Sequence, residues 1–173
     1  MHKVFTHSIL EREFTYSGPA NYTAHYCIPS FLRGPELSKA RIIDLVSKAK
    51  YFVLHEQRQS GKTTFLLELR DYLNSTGQFA ALYVNIEAAQ QGWSCNLKLG
   101  VETVVDEIES QLKLTFDVNF NLKSRFSNLT PTKLLDAVLT YVSKEVFRSE
   151  KKFVLLVDEI DSLVGDLLLT VLR

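Results

Sequence analysis

A short basic turn lies between an apolar run and a helical pattern in the first half of the chain. Residues 60–64 have the sequence SGKTT and follow the apolar residues 51–54. Backbone N–H groups of such a turn, and of the helix start behind it, point at phosphate oxygens. We therefore predict a phosphate-binding loop, with Lys62 reaching the β and γ phosphates as a point charge and the Thr63 hydroxyl on Mg²⁺.

Two adjacent carboxylates end a second apolar run. Residues 153–157 are apolar, and Asp158 and Glu159 follow them directly. In a parallel α/β sheet this strand end lies at the same edge as the phosphate loop. Asp158 would hold Mg²⁺ through a coordinated water, because Mg²⁺ dehydrates reluctantly, and Glu159 would orient and deprotonate an attacking water. The alternative interpretation is an acidic helix start, in which both carboxylates favour the helix dipole.

One position departs from the usual phosphate-loop pattern. The pattern Gly-x-x-x-x-Gly-Lys-Thr places a glycine five residues before Gly61, and this chain has Glu56 there. If that backbone needs a positive φ, a side chain costs about 1–2 kcal/mol. A carboxylate beside phosphates would also repel them. Residues 58–63 keep the cradle itself, so we expect weakened binding at most.

Other polar and aromatic side chains are candidates for the same site. Asn85 ends the second predicted strand and could hydrogen-bond Glu159, holding it away from the attacking water. It could equally be a turn-forming asparagine that closes the strand. Tyr22, His25 and Tyr26 could stack on an adenine, or could simply pack around the proline that follows them.

Alternation of strand and helix patterns predicts an α/β fold with a parallel sheet covered by helices on both faces. The predicted strands are 51–56, 79–86 and 153–158. Apolar stripes at helical spacing lie before, between and after them, whereas residues 115–130 look irregular. Residues 1–20 are treated as a tail or edge element, and residues 21–173 as the domain.

Composition sets the class of protein. A chain of 173 residues with 46% apolar and 23% charged residues can form one ordinary globular domain. Its 20 basic residues balance 20 acidic ones, so charge gives no argument for nucleic acid or a membrane surface. Cys27 and Cys95 lack metal-ligand spacing and are typical of reduced thiols. With no signal-peptide or membrane-span pattern, we predict a soluble cytoplasmic protein.

Taken together, residues 22–172 resemble the AAA-type ATPase-like proteins of bacteria, a branch of the additional-strand P-loop NTPases. The resemblance is carried by HYCIP at 25–29, YFVLH-x-x-RQSGKTT at 51–64, YVNIE at 83–87 and VDEIDSLVGD at 157–166. It implies ATP as ligand, Mg²⁺ at Thr63 and Asp158, Glu159 as catalytic base with Lys62, and Asn85 as a restraint on Glu159. The nucleotide-binding residues it implies form the loop and one upstream aromatic: Arg58, Gln59, Ser60, Gly61, Lys62, Thr63, Thr64 and Tyr26. Relatives usually carry alanine or glycine in place of Glu56.

The same resemblance implies that the domain is incomplete. The expected strand order is 5-1-4-3-2, and this chain has patterns for strands 1, 2 and 3 only, with strands 4 and 5 missing. We therefore expect the front part of a longer protein, whose ancestor hydrolysed ATP to drive a conformational switch. The alternative is a truncated, non-catalytic remnant or a nucleotide-binding interaction module, with a protein partner or self-association. Transfer of phosphate to a small molecule is disfavoured, because a water-activating glutamate beside the metal residue favours hydrolysis.

Overall fold

The computed structural model describes residues 39–54, 61–89, 97–147, 151–163 and 165–172. Several residues of the predicted site lie outside these ranges: Tyr22, His25, Tyr26, Glu56, Arg58, Gln59 and Ser60. The chain divides into two compact units, Met1–Leu69 and Arg70–Arg173, referred to below as the first and second units.

The first unit contains helix α1 (Lys39–Ser47) and the start of helix α2 (Lys62–Ser75). In α1, Ile42 and Val46 lie four residues apart on one face and both are buried. After the helix, Ala49 takes a left-handed backbone conformation with φ 51°. Buried Phe65, Leu66 and Leu69 form the apolar face of α2 in this unit.

The predicted first strand is wrong for its described part. Residues 51–54 carry no strand pairing, and the side chains of Tyr51 and Val53 are 104% and 80% exposed. An apolar run becomes a strand only where neighbouring strands accept its backbone hydrogen bonds. In the predicted order, the neighbours of this run are strands 4 and 5, for which the chain has no apolar pattern.

A parallel sheet of two strands forms the centre of the second unit. Strand β1 (Phe79–Asn85) pairs with strand β2 (Lys152–Asp158), in a register that runs from Phe79 opposite Lys152 to Asn85 opposite Asp158. Both strands lie within one residue of their predicted bounds. The described residues therefore form a mixed fold of helices with a small parallel sheet, which is compatible with the predicted α/β class.

Helices on one face of this sheet enclose the main core. They are α3 (Leu97–Phe116), the short α4 (Leu122–Arg125) and α5 (Pro131–Tyr141), which continues as a π-helical turn (Val142–Val146). Leu82, Val84 and Ile86 of the β1 segment share one apolar cluster with the buried stripes of the helices. Those stripes recur every three or four residues, as an amphipathic helix requires: Val101, Val104, Val105, Ile108, Leu112, Leu134, Leu135 and Val138.

The helices α5 and α4 begin in different ways, one at a proline and one at a contact with a distant residue. Thr130 is the N-cap of α5 and Pro131 its first residue, as predicted, although the Thr130 side chain makes no capping hydrogen bond. Helix α4 lies in the stretch predicted to be irregular. Its first N–H, at Leu122, donates to Glu109 Oε2 at 2.9 Å, a contact with α3 that no local pattern shows. After β2 come a 3₁₀ turn (Ile160–Ser162) and helix α6 (Gly165–Leu172).

No helix within the described ranges is long and apolar enough to cross a membrane. The longest, α3, has 20 residues but carries charged side chains throughout its outer face.

The Asn74 side chain closes one edge of β1. Its Nδ2 donates to the Ala81 carbonyl at 3.0 Å, and its Oδ1 accepts from the Ala81 N–H at 2.7 Å. Both Ala81 groups therefore point away from β2, and the carboxamide takes the place of a third strand there. Gly77, at φ 72°, lies in the turn that joins α2 to β1, as predicted for the helix end.

We expect Asn74→Ala to lower the free energy of unfolding by about 2 kcal/mol, because Ala81 is fully buried and loses both partners. Ser75→Ala is the matched control, since that exposed hydroxyl bonds only locally, to the Tyr72 carbonyl, and its loss should stay within about 0.5 kcal/mol. Urea denaturation followed by circular dichroism measures both. Equal losses in the two variants would show that the carboxamide does not close the edge.

Candidate functional site

The carboxyl ends of β1 and β2 bring together three predicted site residues. Asn85 and Asp158 are register partners, and Glu159 follows Asp158 directly. A fourth residue, Tyr83, joins them from two positions earlier on β1, which places it on the same face of the strand as Asn85. All four belong to the second unit.

Asp158 is a buried carboxylate held by donors from both strand ends. It is 5% exposed. The Tyr83 hydroxyl donates to its Oδ2 at 3.0 Å, and the Glu159 N–H donates to its Oδ1 at 3.0 Å. Such donors offset the cost of burying a carboxylate.

The Tyr83 phenol is a neutral donor in this position. Its burial raises the pKa of Tyr83 well above the ordinary tyrosine value, and the negative charge of Asp158 and the hydrogen bond to it act in the same direction. The phenol therefore stays protonated at physiological pH, and the bond can only run from Tyr83 to the carboxylate. Sequence reasoning missed this residue. The available signal was its two-residue spacing from Asn85 on a predicted strand.

Glu159 differs from Asp158 in both exposure and backbone. Its side chain is exposed, and its backbone is left-handed, with φ 57° and ψ 35°. A residue other than glycine in this region costs about 1–2 kcal/mol. A 3₁₀ turn follows directly, with Glu159 as its N-cap and Asp161 in its first turn, and α6 begins only at Gly165. The alternative interpretation, an acidic helix start, is therefore compatible with this short turn.

The Asn85 side chain has the turn-forming role. Its Oδ1 accepts from the Glu87 N–H at 2.9 Å, closing the chain after β1 as an Asx turn. This is the second of the two interpretations given for Asn85. A restraint on Glu159 by this side chain stays a prediction.

The described part of the predicted phosphate loop forms the start of α2 in the first unit. Gly61 has φ 82°, a conformation that favours glycine, and its carbonyl accepts from the Phe65 N–H at 3.0 Å. Lys62, Thr63 and Thr64 are therefore the first turn of the helix. N–H groups of a first helical turn point out along the axis, which is the arrangement that phosphate oxygens bind.

Within the described ranges, no three histidine, cysteine or acidic side chains cluster as a metal cage. Mg²⁺ in nucleotide sites takes one or two carboxylates together with substrate phosphates. The Asp158 carboxylate of the second unit and, separately, the Thr63 hydroxyl of the first unit are oxygen donors of the type that Mg²⁺ binds.

Comparison with known proteins leaves the family open. No protein-family model matches the chain, and comparison with curated proteins and with solved structures gave no significant match either. The fold and the site define an α/β protein with a small parallel sheet and acidic side chains at its carboxyl edge. The resemblance to AAA-type ATPase-like proteins stays a prediction.

Proposed function

We propose that the chain is a P-loop module that binds Mg-ATP, with a three-layer α/β fold of the P-loop NTPase type. The observation that carries the proposal is the left-handed Gly61 placed directly before a helix that begins with Lys62 and Thr63. This combination gives a cation, a hydroxyl and first-turn N–H donors at one helix end. All three are what a triphosphate with a bound magnesium requires.

The second unit supports the proposal in two ways. β1 and β2 are parallel neighbours, which is the adjacency that the 5-1-4-3-2 order gives to strands 2 and 3. In addition, a buried Asp158 lies next to an exposed Glu159. A metal ligand benefits from a fixed, partly dehydrated carboxylate, whereas a general base needs contact with water.

Each residue then has a distinct task. Lys62 and the loop amides bind the phosphates, with Arg58, Gln59, Ser60 and Thr64 completing the loop. Thr63 and Asp158 hold Mg²⁺, which neutralises phosphate charge. If the module hydrolyses ATP, Glu159 would take a proton from the water that attacks the γ phosphorus, with ADP as the leaving group.

A second candidate function is nucleotide binding without turnover. Among the described residues the sheet has two strands and residues 51–54 form no strand, which favours this function, because the segment before the predicted phosphate loop is not fixed by strand pairing. Such a module would bind Mg-ATP weakly and act through a protein partner or through self-association.

Thermal unfolding with and without Mg-ATP tests the proposal. At a nucleotide concentration 100 times Kd, the folded state should gain about 2.7 kcal/mol, seen as a rise in Tm. The matched control is ATP with EDTA, which should give a smaller rise. Phosphate release measured in the same samples separates an ATPase from a binding module. If millimolar Mg-ATP leaves the Tm unchanged, nucleotide binding is excluded as the function.

A further inference from the structure

The hydrogen bond between Tyr83 and Asp158 joins residues 75 positions apart in the chain. The other donor to this carboxylate, the Glu159 N–H, belongs to the next residue and moves with it. Tyr83 belongs to a different strand and is only 8% exposed. Its hydroxyl is therefore the contact that ties the Asp158 side chain to the neighbouring strand.

We propose that Tyr83 is a positioning residue that orients the Asp158 carboxylate for magnesium, a role that rests on the proposed Mg-ATP function. The phenol donates to one carboxylate oxygen and the Glu159 N–H to the other. Without the phenol, Oδ2 loses its hydrogen bond to β1, and the orientation of the carboxylate is less well fixed. Side chains that hydrogen-bond to a metal ligand and orient it typically contribute about 10–100-fold to metal affinity.

A purely structural role would have a different signature. A tyrosine that only filled space would affect the stability of the fold, and its loss would weaken nucleotide binding equally with and without metal. A positioning residue affects only the part of the binding that depends on Mg²⁺. The Mg²⁺ dependence of ATP binding is therefore the informative measurement.

The experiment measures ATP affinity by calorimetry over a series of free Mg²⁺ concentrations. For Tyr83→Phe we expect the ATP affinity in EDTA to stay within about twofold of the wild-type value. The Mg²⁺ concentration that gives half of the Mg²⁺-induced increase in ATP affinity should rise about tenfold or more. Tyr141→Phe is the control, since the Tyr141 ring, at the end of α5, packs against Phe120, Phe126 and Arg125. It should behave as the wild type.

Asp158→Asn provides the coupling test. Adding Tyr83→Phe to it should change the Mg²⁺ dependence no further, because the phenol acts through the carboxylate. Full additivity of the two changes would overturn the positioning role. So would a Mg²⁺ midpoint for Tyr83→Phe equal to that of Tyr141→Phe.

Nuclear magnetic resonance of the wild type keeps the proposal testable if Tyr83→Phe does not fold. The ring signal of Tyr83 should shift when Mg²⁺ is added to the ATP-bound protein, and should saturate at the concentration found by calorimetry. An unchanged signal would overturn the proposal. If the wild type binds no nucleotide, both the positioning role of Tyr83 and the proposed function are overturned. If the wild type binds ATP in a Mg²⁺-dependent way but Tyr83 has no effect on that dependence, only the positioning role is overturned.

Discussion

Replacing Leu112 by alanine should lower the free energy of unfolding of the second unit by about 2–5 kcal/mol. Leu112 has no exposed surface and lies in the apolar cluster that joins α3 to the sheet. The substitution removes three carbon atoms and leaves a cavity that the packed neighbours fill only in part. A loss of this size is a large share of the 5–15 kcal/mol that stabilises an ordinary domain.

Leu114 offers a matched control on the same helix. Its side chain is 77% exposed, so Leu114→Ala should change the unfolding free energy by no more than about 0.5 kcal/mol. Native-state hydrogen exchange of the β1 amides measures both variants, because these amides report on the second unit alone. Similar losses from the two substitutions would contradict the core as described.

Lys62→Ala should weaken Mg-ATP binding by about 30-fold or more. A lysine at the first turn of a helix, in contact with phosphate, is one partner of a charged pair, and removing such a partner costs about 2–5 kcal/mol. Each 1.4 kcal/mol corresponds to about a tenfold change in Kd. The fold itself should be little affected, because Lys62 lies at a helix end rather than in the core.

Lys133→Ala is the control for that variant. Lys133 also lies in the first turn of a helix, α5, and its loss changes the net charge by the same amount. Calorimetric titration with Mg-ATP should give the wild-type affinity for this variant. If both substitutions weaken binding equally, the effect comes from overall charge and not from a phosphate loop.

Elements with a strong local pattern could be predicted from the sequence. The continuous apolar run at 79–85 predicts a buried strand. The periodic apolar stripe of α3 predicts a helix and the face of that helix that is buried. The run at 51–54 has the composition of a strand but lacks a partner, and composition cannot show that. Helix α4 was missed because four residues are too few for a period and a distant Glu109 fixes its start.

The sequence was enough to predict which residues form the candidate site, but not which contacts their side chains make. Asp158 and Glu159 follow from an apolar run that ends in two carboxylates. Their different exposures depend on the left-handed turn after β2, for which a glutamate gives no signal. Tyr83 looked like one more apolar residue in a buried strand, because the carboxylate it binds lies 75 positions away.

Selection for stability alone would replace Glu159. Its backbone occupies a region where the β-carbon of an L-residue costs about 1 kcal/mol, a cost that glycine avoids and asparagine reduces. A lineage with no use for an acid beside Asp158 would therefore drift towards one of those two residues. Retention of glutamate at position 159 in descendants of this protein would therefore indicate that an acidic side chain is still needed beside Asp158.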